Sequence, residues 1–154
     1  MTVYTFVPIN QDHLNVMDGW SFGEYFPDFD VVAYHASARS GAARLTGPAG
    51  CDGFAVFDVN GGLTGLFEYY FSDDGTASIG LALAPELTNH GLGGAFLEAG
   101  IEFLIDAYDY SGTHVHLEVD PRNKPAVTLY MRAGFEEVPT DAGTGDLRMR
   151  RPIT

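Results

Sequence analysis

A glycine-rich turn stands where an apolar strand pattern gives way to a helical one. The residues His90-Gly91-Leu92-Gly93-Gly94 lie between a run that ends at Ala84 and a long helical pattern that begins at Leu92. The first amides of a helix have no intrahelical acceptors, and the helix dipole adds roughly half a positive charge there. Glycines leave the approach to those amides open, so a diphosphate can bind at this turn. The same glycines also permit a tight strand–helix turn without any ligand, and this alternative stays open.

The spacing of these glycines excludes two common nucleotide-binding motifs. A dinucleotide fingerprint, G-x-G-x-x-G, would need glycine at Phe96, and a P-loop would need a lysine that this turn lacks, because the sole lysine is Lys124. Cys51 lies in a turn without a neighbouring residue to activate it, so the sequence does not indicate a nucleophilic role for this thiol.

A second candidate for chemistry is a row of polar residues in an apolar strand pattern. His114, His116 and Glu118 alternate with three apolar residues. Successive side chains of a strand point to opposite faces, so these three share one face of the predicted sheet. They can relay a proton, hold a metal ion or form a solvated face, and the sequence alone leaves all three readings open.

The elements that must position these residues follow from hydrophobic periodicity and turn residues. Strands are predicted at 3–8, 54–59, 63–71, 77–84, 114–119, 134–138 and 146–149, and helices at 11–20, 92–108 and 123–132. Residues 20–34 are rich in aromatic side chains, and 37–53 are predicted to form a loop, with room for a short helix. Hairpins followed by a β–α–β–α–β pattern predict an α/β (α+β) fold with a mixed sheet.

Two short sequence blocks lie about thirty residues apart along the chain. The first is PELTNHGLGG at 85–94; the second is Asn123-Lys124-Pro125-Ala126, followed by Leu129-Tyr130 and Gly134-Phe135. Together they resemble the GNAT family of acetyl-CoA-dependent N-acetyltransferases, with its acyl-CoA signature and its N-x-x-A, L-Y, G-F block. The likeness covers about residues 53–138 with the flanking elements. Where the family has arginine or glutamine this chain has Thr88, so the backbone amides are left to hold the diphosphate.

The resemblance implies one N-acetyltransferase domain over residues 1–154 and a cofactor site in it. The fold it implies is a mostly antiparallel central sheet flanked by helices, with a splayed strand pair at the coenzyme. Acetyl-CoA would be the cosubstrate, and no metal is expected. The residues that would bind it are Leu81, Ala82 and Leu83 along the pantetheine arm, Asn89, His90, Gly91, Leu92, Gly93 and Gly94 at the diphosphate, and Asn123 near the next helix. For Asn123 a plain helix N-cap is the alternative.

The resemblance also implies catalytic roles. Tyr130 would be the general acid, because a phenol with a pKa of about 10 can donate to a departing thiolate whose thiol has a pKa of about 8.5. A core tyrosine with a satisfied hydroxyl is the alternative. Glu118 would be the base, since its distance of twelve residues from Tyr130 resembles that in the ribosomal-protein N-terminal acetyltransferase branch. Glu68 competes for this role, and water alone is a third option.

The net charge of the chain limits the classes of molecule that it is expected to bind. Asp and Glu number 21 against eight Lys and Arg, a net charge of −13. This repels nucleic acid and favours cationic acceptors, such as a small-molecule amine or a peptide N-terminus, although solubility alone can explain the acidity. The arginines at 148, 150 and 151 alternate along a predicted strand, which indicates a solvated edge. No run is long enough to span a membrane, and the absence of a signal segment predicts a cytoplasmic protein.

The sequence therefore predicts an enzyme that moves acetyl from acetyl-CoA to a primary amine in a ternary complex. The alternative is a catalytically silent acyl-CoA-binding regulatory module, and a third reading is a partner-binding protein that uses the aromatic segment 20–34. A homodimer paired through sheet edges is compatible with each of these.

Overall fold

Seven strands form one mixed sheet in the part of the chain that the computed structural model describes, residues 4–20, 31–88, 90–139 and 145–153. Their order across the sheet is β1-β2-β3-β4-β5-β7-β6, and every neighbouring pair except β4 and β5 is antiparallel. The strands are β1 (Thr5–Pro8), β2 (Asp52–Phe57), β3 (Leu63–Phe71), β4 (Ala77–Leu83), β5 (His114–Val119), β6 (Glu136–Val138) and β7 (Leu147–Pro152).

Four α-helices of the described residues cover the two faces of this sheet. They are α1 (Gln11–Met17), α2 (Val32–Arg39), α3 (Gly93–Tyr108) and α4 (Lys124–Arg132). The larger core lies under α3 and α4, where Phe96 and Leu104 pack against strand residues such as Phe67. A smaller core lies on the opposite face, where Leu14 of α1 and Tyr34 of α2 cover β2 and β3. The mostly antiparallel α/β fold predicted from the sequence is confirmed.

Local signals explain where these elements begin and end. Asn10 caps α1 by accepting from the His13 N–H, and the His13 side chain accepts from the Asn10 N–H in return, which closes a capping box. At Gly100 of α3 a Cβ would lie 1.9 Å from the Phe67 ring, so glycine lets the helix approach the sheet closely. This close approach sets the distance between the middle of α3 and β3.

β4 and β5 part shortly after they meet. They are paired only at Ala77 with Val115 and at Ser78 with His116. Beyond Ser78, β4 keeps its ladder to β3 as far as Leu83, while its other edge has no strand partner among the described residues. The sheet is thus open at its centre, which confirms the predicted splayed strand pair.

Three sequence-based expectations need correction or lie outside the described residues. Helix α2 was not predicted, and it falls where the aromatic segment meets the predicted loop. β7 extends to Pro152 instead of ending at Met149, and it lies between β5 and β6. The predicted solvated edge for its arginines is therefore wrong, since antiparallel partners flank the strand on both sides. Most of the aromatic segment, 21–30, lies outside the described residues.

Candidate active site

A cleft of about 1100 Å³ opens where β4 and β5 diverge. One wall is β4 from Ile79 to Leu83, and the opposite wall is the end of β5 with the first turns of α4. The glycine turn before α3 closes one end of the cleft. Three groups separated in sequence, near residues 80, 92 and 125, are thereby brought to one cavity.

The glycine turn presents unsatisfied backbone donors. Gly91 has a φ of 74°, a left-handed conformation that favours glycine, and Leu92 caps α3 without any side-chain acceptor. The Phe96 N–H donates back to the Leu92 carbonyl at 3.0 Å, but no described residue accepts from the Gly94 or Ala95 N–H. Two donors at a helix N-terminus are thus available to an anion.

Gly94 is a glycine that the protein's own packing does not require. A Cβ built on it would meet no atom within 4 Å, and its φ is not positive. Glycine in a helix costs roughly 0.5–1 kcal/mol relative to alanine, and no contact of the described residues accounts for glycine here. Of the predicted diphosphate residues, Gly91, Leu92 and Gly93 line the cleft, whereas Gly94 does not. His90 is exposed and outside the lining, and Asn89 lies outside the described residues.

The predicted pantetheine strand has a free edge. Leu81, Ala82 and Leu83 pair with β3 on one side and line the cleft on the other. Strand backbone alternates its donors and acceptors between its two edges, so some N–H and C=O groups of this segment face the opening. An amide-bearing chain can add to this edge in the manner of a strand.

Asn123 serves as a helix cap and also lines the cleft. Its Oδ1 accepts from the Ala126 N–H at 3.2 Å, so it is the N-cap of α4. Its amide NH₂ donates to no described residue and remains available to a ligand. The two roles considered for Asn123 are therefore compatible, because they use different atoms.

Cationic side chains near the diphosphate end are few. Thr88 lines the cleft, but its hydroxyl donates to the Pro85 carbonyl at 2.8 Å and so does not replace a missing donor. Arg122 is paired with Asp120, an ion pair that lowers the pKa of that carboxyl to about 2. Lys124 and Arg132 line the cleft. These two are the cations placed to attract an anionic cosubstrate.

Tyr130 lies in the larger core at the wall of the cleft. It is 8% exposed, its ring centroid is 5.9 Å from that of Phe135, and its hydroxyl bonds to none of the described residues. Burial raises the pKa of Tyr130 to about 12. At neutral pH this phenol keeps its proton, which a hydrogen-bond donor to a leaving group must do.

The polar row on β5 divides between two clefts. Glu118 is exposed, lines the central cleft and pairs in register with Arg148 of β7. His114 and His116 instead line a second cleft of about 530 Å³ at the other end of the sheet. Burial, followed by Arg148 and Arg150, lowers the pKa of His116. The continuous relay considered for the three is thus not supported, and no described group of three His, Cys, Asp or Glu residues could hold a metal.

Glu68 is the site residue whose surroundings the sequence did not predict. It lines the same cleft, and its carboxylate accepts from the Tyr34 hydroxyl at 2.6 Å and from the Tyr70 hydroxyl at 3.1 Å. The Cys51 Sγ lies 3.7 Å from its Oε2. Cys51 is buried, and burial beside Glu68 raises the pKa of the thiol to about 11, which disfavours a nucleophilic role.

The open sheet, the donor-bearing helix start and a protonated phenol at one cleft define an acyl-CoA-dependent transferase. The sequence profile of the Acetyltransferase (GNAT) family matches residues 18–135. This chain therefore belongs to the GNAT acetyltransferase family.

Similar proteins agree with this membership. A mycothiol acetyltransferase of Clavibacter sepedonicus is 35% identical over 85 residues, which are 54% of this chain and 27% of that protein. The chain thus spans about a quarter of that relative's length.

Solved structures confirm the fold. A spermidine N-acetyltransferase chimera from Vibrio cholerae and hSSAT has a TM-score of 0.72 at 17% identity, covering 97% of this chain and 95% of that one. The Campylobacter jejuni N-acetyltransferase PseH with acetyl coenzyme A has a TM-score of 0.70 at 14% identity, covering 99% and 100%. Among the described residues, no helix is both long and apolar enough to cross a membrane.

Proposed function

We propose that this enzyme transfers an acetyl group from acetyl-CoA directly to a primary amine, with both substrates bound at the central cleft. Acetyl-CoA supplies the acetyl group as an activated thioester. The observation that carries the proposal is that the free edge of β4 and Tyr130 line one cleft. Residues 1–154 would act as one N-acetyltransferase domain.

Binding of the cosubstrate uses main-chain groups. The segment Leu81–Leu83 pairs with the amide-bearing arm, and the amides of the glycine turn hold the diphosphate, as their free donors support. Asn123 donates from its side-chain NH₂, and Lys124 adds a positive charge. Together these aim the thioester carbonyl at the opening between β4 and β5.

Acyl transfer needs one proton removed and one supplied. The neutral amine nitrogen attacks the carbonyl carbon, the C–S bond breaks, and the electron pair leaves on sulfur. Tyr130 donates a hydrogen bond to that sulfur. Full proton transfer from a phenol of pKa about 12 to a thiolate whose thiol has a pKa of about 8.5 would be unfavourable. Stabilising the developing negative charge is thus the main contribution of Tyr130.

The amine proton leaves toward the opposite face of the sheet. Glu118 projects from the same face of β5 as His116, away from the buried Val119, and it lines the cleft. As an exposed carboxylate it can take the proton directly or through water. Glu68 lies on the same face of β3, and its separate role is inferred below.

The function is tested with purified protein and a panel of amines, by following thiol release from acetyl-CoA. The panel contains aliphatic mono- and diamines, aminoglycosides, amino acids and peptides with free N-termini, and calorimetry measures acetyl-CoA binding in parallel. Binding with turnover of at least one amine is expected. Binding without turnover across the panel would favour the silent regulatory module, and no binding would remove both functions.

A further inference from the structure

Glu68 carries a negative charge that the protein fixes but does not neutralise. Both of its oxygens accept hydrogen bonds from phenols, Oε2 from Tyr34 and Oε1 from Tyr70. The described residues include no ion pair to this carboxylate. A half-buried anion without a counter-charge is costly, and a cationic ligand in the cleft would relieve that cost.

The position of Glu68 is set before any ligand binds. Tyr34 is fully buried, and its ring lies against Gly47 and Gly53, where an added Cβ would come within 2.4 and 2.1 Å of it. These two glycines make the space that brings a phenol of α2 to a carboxylate of β3. Burial and the nearby Glu68 charge raise the pKa values of Tyr34 and Tyr70, so both phenols remain donors.

Glu68 and Glu118 stand on either side of the opening in the sheet. Glu68 pairs in register with Gly80 of β4, and a Cβ on Gly80 would lie 3.1 Å from Glu68 Oε1. The pairing of Ser78 with His116 sets Gly80 and Glu118 at equivalent positions, each two residues further along its strand. The absence of a side chain at Gly80 leaves the space between the two carboxylates clear.

The two carboxylates are suited to different tasks. Glu68 already accepts two hydrogen bonds, which orient its carboxylate and leave lone pairs for a further donor. The reacting amine must be neutral, whereas a second ammonium group on the same acceptor stays charged. Neighbouring strands lie about 4.8 Å apart, so Glu68 is roughly one strand spacing from the opening, a separation that a few carbon atoms span.

We propose that Glu68, held by Tyr34 and Tyr70, is an acceptor-binding residue that pairs with a second ammonium group of an aliphatic diamine. This inference rests on the proposed function and names its substrate class. Tyr34 is a positioning residue in this arrangement, because it acts through the carboxylate. Glu118 remains the group that receives the proton from the reacting nitrogen.

The test compares 1,4-diaminobutane with n-butylamine, which have the same carbon chain but differ in one charge. We expect the wild type to use the diamine with a kcat/KM at least about tenfold higher, as an ion pair in a partly desolvated site provides. In Glu68→Gln this preference should fall to within about threefold, through a higher KM for the diamine. Tyr34→Phe should shift the preference the same way by a smaller factor.

Control variants separate this role from charge, structure and catalysis. Glu102→Gln makes the same charge change on an exposed helical residue and should keep the diamine preference. Glu118→Gln should lower kcat for both amines. The acetyl-CoA Kd of Glu68→Gln should match the wild type, because Glu68 lies on the face opposite Tyr130. An unchanged preference in Glu68→Gln, or an equal loss of kcat for both amines, would overturn the proposal.

The failure of the proposed function gives a different result. If the wild type binds acetyl-CoA but acetylates neither amine, calorimetry with 1,4-diaminobutane in the presence of CoA still reads the cation site directly. Binding that is lost in Glu68→Gln and kept in Glu102→Gln would support the site alone. No binding by the wild type would refute it.

Discussion

The Tyr130 hydroxyl is enclosed by apolar neighbours and yet borders an open cleft. This combination keeps the phenol protonated and leaves its hydrogen unused by the described residues. The hydroxyl itself is open to the cleft, because it is not one of the buried polar atoms of the described residues that lack a hydrogen-bond partner. A bound thioester sulfur can accept its hydrogen bond there.

Replacing Tyr130 with phenylalanine should separate catalysis from binding. We expect kcat to fall about 100-fold or more in Tyr130→Phe, because the leaving thiolate loses its donor. The acetyl-CoA Kd should change by less than about threefold, since the aromatic ring and the backbone contacts are kept. Stopped-flow thiol release and calorimetry measure the two quantities. Tyr108→Phe, which removes a hydroxyl bonded to Asp52 away from the cleft, is the matched control; equal rates in both variants would exclude Tyr130 from the mechanism.

With n-butylamine as the acceptor, the pH dependence of the reaction should show a rising limb only. Below its pKa of about 12, Tyr130 stays protonated, so it causes no loss of activity up to about pH 11. The rate should rise as the fraction of neutral amine increases toward its pKa of about 10. Profiles of kcat/KM from about pH 6 to 10.5 measure this. A falling limb below pH 10 that disappears in Tyr130→Phe would show that the phenol ionises earlier than its burial implies.

Gly94, at the start of α3, is expected to favour acetyl-CoA binding and to lower the stability of the helix. In Gly94→Ala the helix should become more stable by about 0.5–1 kcal/mol, because alanine favours helix and meets no atom here. The acetyl-CoA affinity should fall about tenfold, because the new methyl group would stand beside the unpaired N–H groups of Gly94 and Ala95, which are proposed to bind the diphosphate. Thermal unfolding should show the gain in stability, and calorimetry should show the loss of affinity for acetyl-CoA.

Gly19→Ala provides the control for that experiment. Its Cβ would make an ordinary contact of 3.5 Å with the Val16 carbonyl, and it lies outside the cleft. Acetyl-CoA affinity should be unchanged there. If Gly94→Ala keeps full affinity, the glycine at this position does not make room for ligand.

Elements with strong local signals were predictable from the sequence, and those that depend on distant contacts were not. The turn at Asn60–Gly62 and the helix N-caps at Asn10 and Asn123 depend on residues only a few positions apart, so the local sequence indicates them. Helix α2 begins at Val32, its N-cap residue Val31 provides no side-chain cap, and Tyr34 is its single buried residue among those described. Its stability comes from tertiary packing, which local periodicity does not reveal.

The residues of the candidate site likewise divide into those that the local sequence indicates and those that only the fold brings together. The glycine turn and Tyr130 lie in compact blocks, so their likeness to a family was visible. The partners of Glu68 come from α2, from the loop before β2 and from its own strand, and only the folded sheet unites them. The roles of Tyr130, Glu118 and the coenzyme-binding residues stay predictions, as do the cytoplasmic location and the homodimer.

The whole molecule is strongly anionic, and this should affect its two substrates unequally. With a net charge of −13, the protein attracts a cationic amine at long range, and salt screens that attraction. Raising ionic strength from about 0.02 to 0.3 M should increase the KM of a diamine several-fold and should not increase that of acetyl-CoA, because salt also screens the repulsion between the protein and this anion.

Chloride and sulfate salts compared at equal ionic strength form the control for that measurement. Screening depends on ionic strength, so both should give the same rise in the diamine KM. A rise confined to one salt would indicate a specific anion at the site instead. A diamine KM that does not change would show that the overall charge plays no part in recruiting the acceptor.

The gap between β4 and β5 places an unpaired strand edge inside the molecule, where another protein cannot reach it. Exposed strand edges invite association between chains, whereas this recessed one accepts only a slender partner. Amide hydrogens from Ile79 to Leu83 that face the gap should therefore exchange with deuterium quickly in the free enzyme and slowly once coenzyme is bound. Equal exchange in the free and the coenzyme-bound enzyme, measured by peptide mass spectrometry, would mean that the coenzyme does not bind at this strand edge.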